Sequence, residues 1–186
     1  MDKQKEILTA ALKLFVELGF HGTATSKIAK EAGVANGTLF HYYATKDELI
    51  ISLYVAIKLE MAAFVESQSV ENGDARIQFK NQFVNALHWA ISHPHEFQYI
   101  QQFYNSPYSA QLKSDQLQKL IEKNCGEIQR AIDSGILKPL PVDYIFSLFS
   151  SHLFGLNQYL KNAKLSVTKQ KEIIAETFEM LWEMLT

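Results

Sequence analysis

The chain has 186 residues, of which 47% are hydrophobic and 20% charged, with a formal net charge of −2 and one cysteine. This composition is typical of a globular protein and excludes a disordered chain, an internal disulfide and nucleic-acid binding through bulk positive charge. No run of about 18 uncharged apolar residues predicts a membrane span, and the N-terminus lacks the apolar stretch of a signal peptide. We therefore expect a cytoplasmic protein with no membrane partner.

The first quarter of the chain predicts three helices. The first runs from Lys3 to Leu18 and stops at Gly19, the second runs from about Thr25 to Ala32, and the third runs from near Asn36 to Tyr43. Apolar residues at helical spacing predict that the three helices share a core. These residues are Ile7, Leu8, Ala11, Leu14, Phe15, Leu18, Ile28, Ala29, Ala32, Leu39 and Tyr43.

The tight turn at Gly33 between the second and third helices indicates a helix-turn-helix unit, which lays its last helix in the DNA major groove. Short polar side chains at the start of such a helix can reach base edges, and Lys27 and Lys46 can neutralise phosphates. An exposed aromatic residue taken singly is more often scattered surface, but here several occur together on one short helix. The predicted groove-facing residues are Asn36, Gly37, Thr38, Phe40, His41 and Tyr42.

Residues 1–50 carry six lysines and six acidic residues, so a DNA-binding face requires lysines segregated to one side. Helix starts at Thr25 and Asn36 also offer free backbone N–H groups to phosphates.

The first quarter resembles the DNA-binding domain of the TetR family. The matching positions run from Gly19-Phe20 through Ile28-Ala29, residues 31–34, 37–40 and 42–43 to residues 46–49. The resemblance implies an all-helical homodimer with a DNA-binding domain at residues 1–46 and a ligand-binding and dimerisation domain at residues 47–186. It also implies that the protein is a repressor, which binds a palindromic operator and is released from it by a small molecule.

By the same resemblance, Thr25, Ser26 and Lys27 lie near the DNA backbone and groove, and Lys46 meets a phosphate. Two positions depart from the family pattern. Ala24 stands where Ser or Thr often caps the second helix, so either Thr23 or Thr25 replaces the cap or the cap is weaker. Phe40 stands where Tyr is common, so a hydroxyl bond to phosphate is lost.

The rest of the chain reads as helices, with no strand pattern and no repeat, so the predicted fold class is all-α. Thr45 is the predicted N-cap of the fourth helix. Residues 67–74 form the one polar linker of the first half. The predicted helices cover residues 46–66, 77–91, 97–104, 112–134, 142–162 and 167–185.

The last two helices carry broad apolar faces that predict a four-helix bundle across a two-fold axis, although packing within one chain is the alternative. The predicted interface residues are Phe149, Leu153, Leu156, Phe178, Leu181 and Trp182. Elsewhere in the chain, aromatic side chains and neighbouring polar groups suit either a largely apolar effector pocket or an ordinary core. The predicted lining residues are Trp89, Phe97, Gln101, Phe103, Tyr104, Phe149 and His152.

No nucleophile–base pair, carboxylate pair or phosphate loop indicates an enzyme, so we expect no catalytic residue and no cofactor. Residues 93–96 (His-Pro-His-Glu) predict a solvated loop, and no further cluster completes a metal site. The sequence leaves one alternative function open. In it the protein binds DNA without a small-molecule inducer, and its helical body docks a protein partner.

Overall fold

The structure is a computed structural model that describes residues 2–68 and 74–186. Within these residues it contains helices and turns and no strand, which confirms the all-α class. A short 3-10 turn, Pro107–Gln111, follows the sixth helix. The helices are α1 (Lys3–Gly22), α2 (Thr25–Glu31), α3 (Asn36–Tyr42), α4 (Lys46–Ser67), α5 (Ala75–Ser92), α6 (Pro94–Tyr104), α7 (Asp115–Asp133), α8 (Val142–Asn162) and α9 (Val167–Leu185).

Two compact units make up the chain, and each combines segments that are not consecutive in sequence. The first unit comprises Met1–Glu60 and His93–Ser114, and the second comprises Met61–Ser92 and Asp115–Thr186. The first unit is therefore larger than the DNA-binding domain expected at residues 1–46. The division at residue 46 concerns function and stays a prediction.

The core of the first unit follows the predicted helical stripes, except at Leu18. Leu18 is 42% exposed, because Gly19 takes a φ of +73° directly after it and ends the regular helix. The chain then turns back, so Phe20 packs edge-on against Phe15 with ring centroids 5.4 Å apart. Of the apolar residues predicted to form the shared core of the first three helices, those that are buried are Ile7, Ala11, Leu14, Phe15, Ile28, Ala29, Leu39 and Tyr43.

The start of α6 corrects the prediction of a solvated loop at residues 93–96. Pro94 is the first residue of α6, where its missing N–H costs no helical hydrogen bond, and Glu96 lies in the first turn. Within the first unit α6 packs against α1, where Tyr99 lies 5.5 Å from Phe20. The Tyr99 hydroxyl donates to the Ile50 carbonyl at 2.9 Å, which ties α6 to α4.

The second unit has an aromatic core between α5, α8 and α9. Phe178 stacks on Trp182 with ring centroids 5.8 Å apart, and Phe83 and Phe79 lie against this pair. Of the predicted linker, Ser67 belongs to α4, and the Asp74 carboxylate accepts from the Ile77 N–H at 2.9 Å. Residues 69–73 of that linker lie outside the described residues. Among the described helices, no segment has both the length and the apolar character that a bilayer crossing requires.

Candidate DNA-binding surface

A tight turn joins α2 to α3. Gly33 takes a φ of +66°, a left-handed conformation that favours glycine after a helix. The Gly33 N–H donates to the Lys30 carbonyl at 3.1 Å, and the Val34 N–H donates to the Ala29 carbonyl at 2.9 Å. These bonds satisfy the last carbonyls of α2 and turn the chain into α3.

The inward face of α3 is fixed by the core. Leu39 is fully buried and Tyr43, one turn later, is 2% exposed. The Tyr43 hydroxyl accepts from the Gln4 side-chain amide at 3.3 Å, which ties the end of α3 to α1. Because α3 has seven residues and would not be stable alone, these contacts determine which face points outward.

The outward face of α3 holds all six residues predicted to enter the groove. Phe40 is 41% and Tyr42 is 39% exposed, while Thr38 is partly buried. Asn36, Gly37 and His41 are exposed. The single chain therefore leaves this face open to a partner.

The helices before and after α3 carry lysines, but not all of these lysines are free. Lys13 of α1 pairs with Glu31 of α2, with Nζ and Oε1 2.6 Å apart, so each neutralises the other. Lys27 on α2 and Lys46 at the start of α4 form no ion pair within residues 2–68 and 74–186. Their charges are therefore available to a phosphate. Thr25 and Ser26 occupy the start of α2, with Ser26 exposed and Thr25 partly buried.

The cap of α2 is weaker than the usual pattern, which confirms one of the two predicted alternatives. Ala24 is the N-cap residue and provides no side-chain hydrogen bond. Thr23 does not replace it, because its hydroxyl lies 2.8 Å from the Gly19 carbonyl and 3.1 Å from the Leu14 carbonyl. Thr23 is 1% exposed and therefore secures the end of α1 instead.

The start of α4 has the predicted cap. The Thr45 hydroxyl accepts from the Glu48 N–H at 3.0 Å, and the Glu48 carboxylate accepts from the Ala44 N–H at 2.8 Å. This reciprocal pair fixes the turn between α3 and α4. Lys46 is thereby held one turn beyond α3.

The predicted effector-binding residues occupy both compact units. In the first unit, Phe97 and Phe103 are 1% exposed, Gln101 is partly buried and Tyr104 is 57% exposed, so Tyr104 lies at the surface. In the second unit, Trp89 is 1% exposed and Phe149 and His152 are partly buried. The second unit also has a pocket of about 130 Å³ that contains none of these seven residues.

That pocket lies between α5 and the α7 region, and sequence reasoning missed it. Its lining is Ala75, Gln78, Phe79, Gln82, Glu127, Arg130, Ala131, Ser134 and Ile136. The Gln82 amide donates to the Glu127 carboxylate at 2.7 Å. No motif connects these residues, so only packing could reveal the pocket. In the described part of the chain, no group of three or more His, Cys, Asp or Glu side chains could hold a metal ion.

The predicted interface residues lie in or against the core of a single chain. Phe178 is fully buried, and Leu181, Trp182 and Leu156 are at most 8% exposed. Phe149 and Leu153 pack against the same core, where Phe149 stacks on Phe79 with centroids 5.6 Å apart. The chain itself therefore covers Leu156, Phe178, Leu181 and Trp182. Phe149 and Leu153 keep part of their surface exposed, and their place in an interface stays a prediction.

Comparison with known proteins relates the surface to a family. Residues 7–53 match the family described as bacterial regulatory proteins, tetR family. The chain is 42% identical over 64 residues to the fatty acid metabolism regulator protein of Bacillus subtilis, covering 34% of this chain and 31% of that relative. It is 45% identical over 51 residues to the transcriptional regulator RutR of Escherichia coli, covering 27% of this chain and 24% of RutR. The alignments thus span about a third or less of these curated relatives.

A solved structure is similar over the whole chain. The crystal structure of a TetR-family transcription regulator from a Shewanella species superposes with a TM-score of 0.90 at 27% identity. The superposition covers 100% of this chain and 98% of that chain. Residues 7–53 thus match the tetR family of bacterial regulatory proteins, and the whole chain shares the fold of that Shewanella protein.

Proposed function

We propose that this regulator is a repressor that binds a palindromic operator as a homodimer in the cytoplasm and is released by a small, largely apolar ligand. The observation that carries the proposal is the open outer face of α3, whose inner face is fixed by buried Leu39 and Tyr43. A groove-reading helix needs both an exposed polar face and a rigid attachment.

In this proposal each side chain on the surface has a distinct role. Asn36 and Thr38 reach base edges near the start of α3, and Gly37 permits close approach to the duplex. Phe40, His41 and Tyr42 make apolar and edge contacts further along the helix. Thr25, Ser26, Lys27 and Lys46 bind the phosphate backbone, which sets the position of α3.

The dimer face that we propose differs from the one expected from sequence. On α8, Tyr144, Ser151, Gly155 and Tyr159 lie on one exposed stripe, in which Tyr144 is 52% and Tyr159 is 51% exposed. On α9, Met180 and Met184, about one turn apart, are 64% and 44% exposed. Exposed apolar side chains at helical spacing on two neighbouring helices suit a four-helix bundle with a second copy.

Dimerisation would place two α3 helices in successive major grooves about 34–36 Å apart. An effector that binds more tightly to a dimer with a different distance between its two α3 helices would favour that dimer. It would lower operator affinity by the difference between its affinities for the two dimer geometries. Each unit holds candidates for effector binding, which are Phe97, Gln101, Phe103 and Tyr104 in the first unit and Trp89, Phe149 and His152 in the second.

Two substitutions test the DNA-binding surface. Lys46→Ala should weaken binding to every DNA sequence alike and reduce the slope of log K against log salt by roughly 1, because one phosphate contact is lost. Thr38→Ala should instead reduce discrimination between operator and random DNA by about tenfold, since a base contact is worth about 1–3 kcal/mol. Electrophoretic shift titrations at several salt concentrations, with DNA from upstream of the chain's own gene, measure both effects.

Lys119→Ala is the matched control, since Lys119 is an exposed lysine on α7. It should leave both quantities unchanged. If Thr38→Ala and Lys46→Ala bind operator as wild type does across the salt titration, the proposed surface is wrong. If a panel of lipophilic compounds never dissociates the operator complex, release by an apolar ligand is wrong while DNA binding stands.

A further inference from the structure

The pocket of the second unit has a buried apolar floor and an exposed mouth. Among its lining residues, Phe79 and Ala131 are 7% and 4% exposed, so they form the floor. Gln78, Arg130 and Ile136 are exposed, so they form the mouth. The pocket has a volume of about 130 Å³. Since an engineered cavity of about 150 Å³ in another protein holds benzene, this pocket has room for a branched aliphatic group.

The Arg130 guanidinium at the mouth is a cation without a partner in the described part of the chain. It forms no ion pair and no hydrogen bond there, whereas Arg76 of α5 pairs with Glu179. A β-carbon added at Gly126 would lie 3.5 Å from Arg130 Nη1, so the guanidinium lies back along α7 by about one turn. Because a guanidinium has five N–H donors and keeps its charge, it is available to a carboxylate of another molecule.

Glu127 adds the opposite charge to the same lining. Residues three apart on a helix are neighbours, yet Glu127 and Arg130 form no ion pair. The Gln82 amide donates to Glu127 Oε2 at 2.7 Å, and no described residue donates to Oε1. Lys123, one turn earlier on α7, donates to Glu66 at 2.7 Å instead. The pocket therefore offers a free carboxylate oxygen as well as a free guanidinium.

We propose that this pocket binds a free α-amino acid with an apolar side chain. The ligand carboxylate accepts from Arg130, its ammonium group donates to Glu127 Oε1, and its side chain lies on the floor. The two charges of an α-amino acid are one carbon apart, which suits two pocket charges that are neighbours on one helix. A ligand with a single charge leaves either Arg130 or Glu127 without a partner.

This inference goes beyond the proposed function, because none of the seven residues predicted to bind the effector lines the pocket. It adds a separate site with its own class of ligand.

Calorimetric titration of the purified full chain without DNA tests the site with three probes that share an isobutyl group. These are L-leucine, 4-methylpentanoate, which lacks the ammonium group, and 3-methylbutylamine, which lacks the carboxylate. Leucine should bind about tenfold or more tightly than either analogue, because each analogue loses one charge-assisted contact.

Two variants separate the contacts. Arg130→Met should abolish the preference for leucine over 3-methylbutylamine, and Glu127→Gln should abolish the preference for leucine over 4-methylpentanoate. The matched controls on α7 are Lys119→Met and Glu122→Gln, which should leave all three affinities unchanged. Glu122 is an apt control because it also accepts from a glutamine amide, that of Gln118. None of the four changed side chains is buried, so circular dichroism should show unchanged helix content.

Absence of leucine binding by the wild type would overturn the inference, as would an analogue that binds as tightly as leucine. A preference that survives in either Arg130→Met or Glu127→Gln would overturn it too, because the ligand would then lie elsewhere. Since these titrations contain no DNA, their failure is separate from failure of the proposed operator binding.

Discussion

At the scale of single residues, Thr23 shows how a buried hydroxyl can hold a helix end. Its hydroxyl group lies within hydrogen-bond distance of two carbonyls, those of Gly19 and Leu14, at the point where α1 leaves regular geometry. The left-handed conformation of Gly19 exposes these carbonyls to a side chain instead of to the next helical turn. The geometry of α1 and the entry into α2 therefore depend on one threonine.

Thr23→Val should destabilise the fold by about 1–2 kcal/mol, because it keeps the side-chain shape but leaves a buried carbonyl without a donor. Urea unfolding followed by circular dichroism measures the change in free energy of unfolding. Thr168→Val, at an exposed position on α9, is the control and should change it by less than about 0.5 kcal/mol. Equal stability of Thr23→Val and wild type would show that water satisfies these carbonyls.

At the scale of helices, the second unit uses a charge cluster to fasten α5 to α9. Glu179 of α9 accepts from Arg76 and from Lys80 of α5, with Lys80 Nζ 2.6 Å from its carboxylate. The same Lys80 ammonium lies 5.8 Å from the centre of the Phe178 ring. Hydrogen bonds from Lys80 and then Arg76 lower the pKa of Glu179 below its ordinary value of 4.5. The cluster covers one edge of the aromatic core.

Glu179→Gln should lower the free energy of unfolding at neutral pH by at most about 1 kcal/mol, because the cluster is partly exposed. A carboxylate whose pKa is lower in the folded state stabilises it above the unfolded pKa, and this contribution disappears as the pH falls through the folded value. The stabilities of wild type and Glu179→Gln should therefore converge as the pH falls below 4.5 and through the lower pKa of the folded state. Thermal melts between neutral pH and pH 3 measure the convergence.

Glu176→Gln, at an exposed position on the same helix, is the control and should track wild type throughout. A gap between wild type and Glu179→Gln that persists to the lowest pH would contradict the charge-based explanation.

At the scale of the whole molecule, the proposed dimer depends on the exposed stripes of α8 and α9. Ser151 and Gly155 lie in the middle of the α8 stripe, where small side chains permit two helices to approach closely. Tyr144 and Tyr159 flank them with exposed aromatic area. Met180 lies on the corresponding stripe of α9 and is 64% exposed.

Met180→Glu should weaken the proposed dimer by about 100-fold, because a two-fold interface would bury a carboxylate from each copy without a partner. Sedimentation equilibrium measures the dissociation constant, and operator affinity should fall with it. Ile121→Glu makes the same kind of change at an exposed position on α7 and should leave the dimer intact. A Met180→Glu dimer as tight as wild type would place the interface elsewhere.

The sequence by itself determined the all-α class and the helix-turn-helix with its two faces. Helical periodicity is a local property, so Leu39 and Tyr43 could be predicted as core and Asn36, Phe40 and Tyr42 as surface. Capping at Thr45 was predictable for the same reason, because its partner Glu48 lies three residues away.

Only the tertiary structure decided which apolar side chains remain available to another molecule. The sequence pattern predicts an interface that includes Phe178, Leu181 and Trp182, yet α5 and α8 cover these side chains within one chain. Leu18 reads as core, yet Phe20 replaces it after the turn at Gly19. Burial and pairing are set by residues distant in sequence, and a periodic pattern carries no information about them.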